Sequence, residues 1–79
     1  MTDTELLARI VVDPKTMVGK PVISGTRLTV EHVLNQLGHG ATVSEILDEY
    51  RGLTAADVQA CVLFAARSLA ESDFMPVGP

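Results

Sequence analysis

Apolar residues follow a strand-like pattern at the start of the chain and a helical one after residue 29. The β-branched run at residues 10–12 is closed by Asp13-Pro14, a common turn opener, and predicts a short strand. A second short strand is predicted at residues 27–30, where it passes into a helix. Residues 5–9 have room for one helical turn before the first strand.

Three helices are predicted after these strands, each with its own start signal. The first has Thr29 as N-cap, apolar residues spaced along one face, and two glycines at its end. The second begins with the capping box of Thr42 and Glu45 and ends at Gly52. The third begins at Thr54, with Asp57 in the position of a capping carboxylate, and is expected to reach about residue 72.

The third helix is predicted to bury one stripe of its surface. When the residues are projected around the helix axis, the core-facing ones form this stripe, and further apolar residues widen it. The predicted stripe consists of Val58, Val62, Ala65 and Leu69. Phe64 falls on the opposite side among polar residues. It is interpreted either as a contact with another chain, together with the nearby Leu63, or as a singly exposed aromatic.

The most distinctive segment is GKPVISGTR, residues 19–27, hereafter the 19–27 stretch. Its proline and two glycines predict a structured turn or hairpin between the extended start and the helices. One interpretation places the charges of Lys20 and Arg27 near backbone N–H groups of the loop that contains Gly25 and Thr26, as an anion or carboxylate site. In the other, two short strands pin the helices and the cations are solvated.

The pattern predicts one mostly helical domain over residues 1–79, with a flexible tail at 73–79. Its fold class is a three-helix, helix-turn-helix-like domain of the homeodomain or winged-helix kind, with a short N-terminal β-hairpin. If the third helix reads DNA, Gln59 is placed to address an adenine, whereas Asp57 would repel phosphates. The alternative is a three-helix scaffold that only packs.

Charge and composition narrow the function classes. The net charge is −4, and residues 31–79 carry two cations against seven acids, which argues against helices that lie along phosphates. Cys61 is the single cysteine, so no internal disulfide is expected, and no signal peptide or membrane span is expected. These features favour a cytoplasmic location.

No sequence signature of an enzyme is found, and no catalytic residue, metal site or cofactor is expected. The serines lack the context of a catalytic nucleophile, and a P-loop is absent. His32 and His39 are interpreted as surface residues of the first helix. A hydrolase subunit remains a remote hypothesis that these two histidines would have to support.

Four runs of the sequence belong together, namely RIVVDP at residues 9–14, GKPVISGTRLTV at 19–30, EILDEY at 45–50 and LT at 53–54. In this order they resemble one bacterial and archaeal family, catalogued as domain of unknown function 433. The likeness spans about residues 8–70, and the 19–27 stretch is its most specific part. The resemblance implies a helix-turn-helix-like fold with a short N-terminal β element and no catalytic residues.

The resemblance also implies a function, that of the antitoxin in a type II toxin-antitoxin pair. Such a protein binds and neutralises a PIN-like nuclease toxin, is expected to be a homodimer, and binds promoter DNA alone or only with its toxin. The alternative is a stand-alone helix-turn-helix transcription regulator. The candidate partner-binding or nucleic-acid-binding residues are Lys20, Arg27, Gly25, Thr26, Gln59, Leu63 and Phe64.

Overall fold

The computed structural model describes residues 1–15 and 17–71, so the predicted tail at 73–79 lies outside the described residues. Within these residues, four helices and two strands follow one another. They are α1 (Asp3–Leu7), β1 (Ile10–Val11), β2 (Val22–Ile23), α2 (Val30–Gly38), α3 (Val43–Glu49) and α4 (Ala55–Ala70). A 3-10 turn, Met17–Gly19, lies between the strands. No helix within the described ranges is long and apolar enough to cross a bilayer.

The helical turn predicted at residues 5–9 is a helix that begins earlier, at Asp3. Its start is fixed by a capping box between Thr2 and Glu5. The Glu5 N–H donates to Thr2 Oγ1 over 3.2 Å, and the Thr2 N–H donates to Glu5 Oε1 over 3.1 Å. Because both bonds satisfy free backbone donors of the first turn, the helix starts directly after Thr2.

The two strands form an antiparallel pair in which Ile10 faces Ile23 and Val11 faces Val22. The strand predicted at residues 10–12 is confirmed at its first two positions. The second strand was predicted at the wrong place, because it lies at residues 22–23 inside the 19–27 stretch. The chain then turns back, so that Thr29 forms only a single bridge with Val22.

The three predicted helix starts are confirmed by side-chain hydrogen bonds from their threonine caps. Thr29 accepts from the N–H of His32, while Thr42 and Thr54 each form a complete capping box. Residues 50–54 join α3 to α4 in the helix-turn-helix-like arrangement. The molecule is therefore a small, mostly helical, helix-turn-helix-like domain with a two-stranded N-terminal hairpin, as the pattern predicted.

The core lies between the hairpin and α2, α3 and α4. Its buried members come from every one of these elements, and Leu34, Leu37 and Leu47 pack against them as partly buried neighbours. The buried cluster consists of Ile23, Val30, Val33, Ile46, Leu53, Val58 and Cys61.

The buried face of α4 differs from the predicted stripe. Val62 is 48% exposed and Leu69 is 65% exposed, whereas Ala60 and Cys61 are fully buried. The reason is α1, which packs against α4 more extensively than α2 or α3 does. It covers a side of α4 that a bundle of three helices would leave to solvent, and so turns the buried face toward Asp57.

Candidate functional site

The 19–27 stretch closes on itself as a tight hairpin. The Ile23 N–H donates to the Leu28 carbonyl over 2.9 Å, and the Thr26 N–H donates to the Ile23 carbonyl over 3.0 Å. The Thr26 hydroxyl donates to the same Ile23 carbonyl over 2.7 Å and accepts from the Leu28 N–H over 3.1 Å. Gly25 supplies the positive φ of 79° that the turn requires. Gly25 and Thr26 thus have structural roles in the turn.

The same stretch connects the sheet to α2. Val22 and Ile23 are 5% and 1% exposed, and the Val30 N–H at the start of α2 donates to the Pro21 carbonyl over 3.0 Å. The middle of the stretch therefore agrees with the structural interpretation, in which short extended segments hold the helices in place. Lys20 and Arg27 are exposed at the surface, as are Ser24 and Gly25 at the turn.

Lys20 and Arg27 are not brought together around one anion site. The Lys20 ammonium pairs with the Glu31 carboxylate over 3.1 Å, with both side chains exposed. Lys20 also lines a cleft of about 480 Å³ beside α2, to which Arg27 does not contribute. Arg27 is exposed, and no residue in the described ranges pairs with its guanidinium. Arg27 is therefore the cation of the stretch that is available to a ligand or partner.

The sequence pattern placed Phe64 among polar residues on the outside of α4, and the structure shows that this is wrong. Phe64 is partly buried and packs against the core cluster. It also lines an open, largely apolar groove of about 560 Å³ between α2 and the second half of α4. Pro21, Leu34 and Ala65 are among the other residues of this groove. The difference follows from the rotation of the buried face of α4 described above.

Gln59 and Leu63 also lie on α4, on parts of its surface that the core does not cover fully. Gln59 is exposed in the second turn of the helix, and Leu63 is half-buried. Asp57, which the sequence placed beside Gln59 as a repulsive charge, is instead buried, with 8% of its surface exposed. The exposed start of α4 therefore presents Gln59 without a free carboxylate next to it.

Asp57 forms an ion pair with Arg9 that the sequence pattern did not indicate. The guanidinium Nη1 of Arg9 donates to Asp57 Oδ1 over 2.9 Å, across 48 positions of the chain. Burial acts to raise the pKa of Asp57, but hydrogen bonds from Thr54 and Arg9 outweigh it and lower the pKa below its ordinary value. No local signal identifies such a pair, because the capping role of Asp57 already explains its position in the sequence.

The outward face of α3 is acidic. Glu45, Asp48 and Glu49 are all exposed, and α3 contains no basic residue. Hydrogen bonds from the backbone N–H and the side chain of Thr42 lower the pKa of Glu45. Glu49 accepts a hydrogen bond from Gln36 over 3.2 Å. With three exposed acidic side chains and no basic residue, this face of α3 has a concentrated negative charge.

His32 on α2 and His39 at the C-cap of the same helix are both exposed, as the sequence indicated. His32 Nε2 shares a hydrogen bond of 2.8 Å with the Tyr50 hydroxyl, and the two rings meet edge to face at 5.8 Å. Burial, followed by the nearby charge of Glu49, raises the pKa of Tyr50. His39 Nδ1 lies 2.7 Å from the carbonyl of Asn35. The contacts of His32 tie α2 to the end of α3.

Comparisons with known proteins point to one family. The family model described as "Protein of unknown function (DUF433)" matches residues 10–65, which include both strands, α2, α3 and most of α4. The fold is similar to the crystal structure of a DUF433 member protein from Anabaena variabilis ATCC 29413, with a TM-score of 0.76 and 28% sequence identity. The similarity covers 86% of this chain and 67% of the other. A comparison with curated proteins gives no match. Since the family model spans well over half of the chain, this protein belongs to the DUF433 family.

Proposed function

We propose that this protein is a non-enzymatic antitoxin that acts in the cytoplasm as a homodimer and neutralises a PIN-like nuclease toxin. The observation that carries the proposal is the acidic outward face of α3, formed by Glu45, Asp48 and Glu49. A nuclease that cleaves RNA needs a basic groove for its substrate. An ordered helix with three carboxylates and no cation is complementary to such a groove, and it competes with RNA for it.

The groove beside Phe64 suits the role of an anchor for the same partner. Its walls include Leu34 and Phe64, and it is open to solvent. In protein interfaces, charged surfaces mainly orient the partners, whereas apolar side chains seated in pockets supply most of the affinity. We propose that an apolar side chain of the toxin enters this groove, while Arg27 contributes a charged contact at the edge of the hairpin.

Co-expression with the product of the neighbouring gene, followed by co-purification and a growth-rescue assay, tests the proposal. Asp48→Lys and Glu71→Lys form a matched pair, because both carboxylates are exposed and lack a partner within residues 1–15 and 17–71. Each substitution changes the charge by the same amount. We expect Asp48→Lys to weaken the complex by about tenfold and Glu71→Lys to have little effect.

Two results would count against the proposal. Failure to form any complex, with no rescue of growth, would rule out the antitoxin role. Equal effects of Asp48→Lys and Glu71→Lys would show that α3 is not the docking face. Arg27→Ala is a separate probe of the hairpin. Loss of binding with unchanged thermal stability supports a contact role for Arg27, while lower stability with normal binding identifies a structural one.

A second candidate function is that of a DNA-binding transcription regulator. The observation that favours it is the Arg9–Asp57 pair, which neutralises the carboxylate at the start of α4 and leaves Gln59 exposed there. Titration with DNA from the chain's own promoter, at several salt concentrations and with Gln59→Ala as a variant, tests this function. Binding only after the toxin is added would indicate that the toxin supplies the positive charge.

A further inference from the structure

Among residues 1–15 and 17–71, one edge of the sheet formed by β1 and β2 has no hydrogen-bond partners. The Ser24 N–H donates to the Arg9 carbonyl over 2.8 Å, so this carbonyl points toward β2, while the Arg9 N–H donates to the Leu6 carbonyl. Backbone groups alternate in direction along a strand. Val11 therefore points its N–H and carbonyl toward β2, whereas Ile10 points its own away from β2.

The edge of β2 that faces away from β1 is covered by residues 28–30, which follow the turn of the 19–27 stretch. The Ile23 N–H donates to the Leu28 carbonyl and the Val30 N–H donates to the Pro21 carbonyl, so that β2 has partners on both sides. The outward groups of Ile10 have no hydrogen-bond partner among the described residues, and neither do the backbone groups of Val12. The outer edge of β1 is thus the open edge of the sheet.

The side chains along this edge are apolar and exposed. Val11 is 40% exposed and Val12 is 55% exposed, in a two-residue strand within a two-stranded sheet. Unpaired strand edges bind other strands, and two-stranded sheets are marginal in water by themselves. An exposed edge flanked by valines is a surface on which another strand gains both backbone hydrogen bonds and apolar contact.

We propose that two copies of this protein associate by antiparallel pairing of their β1 strands about a twofold axis at Val11. In that register Ile10 of one copy faces Val12 of the other, and their outward N–H and carbonyl groups form four hydrogen bonds. The two Val11 side chains face each other as the central non-hydrogen-bonded pair. The result is one sheet in which the four strands follow in the order β2, β1, β1 and β2.

The spacing of the open groups favours a second copy over an unrelated peptide. The outward positions, residues 10 and 12, lie symmetrically around Val11, so the edge is complementary to itself in the antiparallel direction. Asp13-Pro14 ends the strand directly after Val12, since proline lacks the N–H that further pairing would need. The pairing concerns only self-association and does not depend on a toxin or on DNA.

Disulfide cross-linking tests the register. Cα atoms of a non-hydrogen-bonded antiparallel pair lie about 4.5 Å apart, within the range that a disulfide spans. Val11→Cys is therefore expected to form a covalent dimer rapidly under mild oxidation. Val43→Cys is the control, because Val43 is also 40% exposed but lies in α3, and Cys61 is fully buried in both variants. Equal cross-linking rates for the two variants would refute the proposed register.

Sedimentation of the unmodified chain tests association itself. We expect a dimer that Val11→Lys and Val11→Glu each weaken by about tenfold or more, because like charges then face each other across the axis. Mixing the two variants should restore the dimer as a heterodimer, while Val43→Lys should leave it intact. A chain that sediments as a monomer at every accessible concentration would overturn the proposal, as would a dimer that is insensitive to all Val11 variants.

Discussion

Val18 has a backbone conformation that its side chain disfavours. Its φ of 56° and ψ of 38° lie in the left-handed region, where a β-branched residue is an outlier. The side chain is 95% exposed, so no packing compensates for the strain. The adjacent Gly19 also has a positive φ, of 77°, which shows that the chain needs this conformation to turn toward β2. The strain therefore comes from the connection between the strands.

Replacing Val18 with asparagine should stabilise the protein. Asparagine tolerates the left-handed region, and we expect a gain of about 1 kcal/mol in the free energy of unfolding. Urea denaturation measures this change. Val18→Thr is the control, since threonine keeps the β-branched shape and should give no gain. A destabilised Val18→Asn variant would show that Val18 has a role that its exposure conceals.

Two arginine–aspartate pairs provide a comparison between buried and exposed charge. The Arg9–Asp57 pair is largely shielded, with side-chain exposures of 34% and 11%, while Arg67 and Asp3 pair over 2.6 Å at 55% and 61% exposure. Exposed pairs contribute little, whereas loss of one partner from a buried pair leaves hydrogen-bonding groups unsatisfied. We expect Asp57→Asn to cost about 2 kcal/mol and Asp3→Asn less than about 0.5 kcal/mol.

The effect of Asp57 should depend on pH in a defined direction. Its pKa in the folded protein lies below the ordinary value of 3.8, so the carboxylate stabilises the fold above the unfolded-state pKa. That contribution is lost as the pH falls through the folded-state pKa. Urea denaturation at pH 7 and at about pH 3 should therefore show a smaller difference between wild type and Asp57→Asn in acid. A difference that grows in acid would contradict this assignment.

At the scale of elements, α1 determines which face of α4 is buried. The helix has only five residues, Asp3–Leu7, and could not persist alone, yet it packs along α4 and buries Leu6 to 3% exposure. The sequence provides the capping box of α1, but the pattern of α4 contains no sign of the helix that covers it. This is why the predicted stripe was rotated and Phe64 was placed on the wrong side.

Removing the Leu6 side chain should separate α1 from α4. We expect Leu6→Ala to cost about 3 kcal/mol, a large fraction of the stability of so small a domain. Val62→Ala is the control, since Val62 is 48% exposed and should change stability by less than about 0.5 kcal/mol. Thermal or urea denaturation measures both. A small loss for Leu6→Ala would show that α1 contributes little to the core.

The whole molecule has one small core, and the reactivity of the Cys61 thiol shows whether that core is folded. Ten apolar residues of the described ranges are buried, and Cys61 is one of the fully buried ones. Burial, and to a lesser extent the nearby charge of Asp57, raises the pKa of the thiol to about 11. The native thiol is thus both shielded and protonated at neutral pH, so it reacts only when the structure opens.

Thiol labelling should therefore follow global stability. We expect native Cys61 to react very slowly with an aromatic disulfide reagent at pH 8, and Leu6→Ala to accelerate the reaction by about a hundredfold. The surface thiol of Val43→Cys provides the rate of an accessible cysteine. Fast labelling of the unmodified chain would mean that Cys61 is reached through local motion and not through unfolding of the core.

The starts of α2, α3 and α4 follow from the local sequence, because each threonine cap bonds to a backbone N–H only three residues away. The sequence also located the 19–27 stretch, whose glycines and proline restrict the local backbone. Which of these segments are neighbours depends on the folded chain, as with the pairing of residues 22–23 with β1, the Arg9–Asp57 contact and the docking of α1 on α4. These contacts join distant positions, and their energy depends on how the whole chain packs, which no local pattern contains.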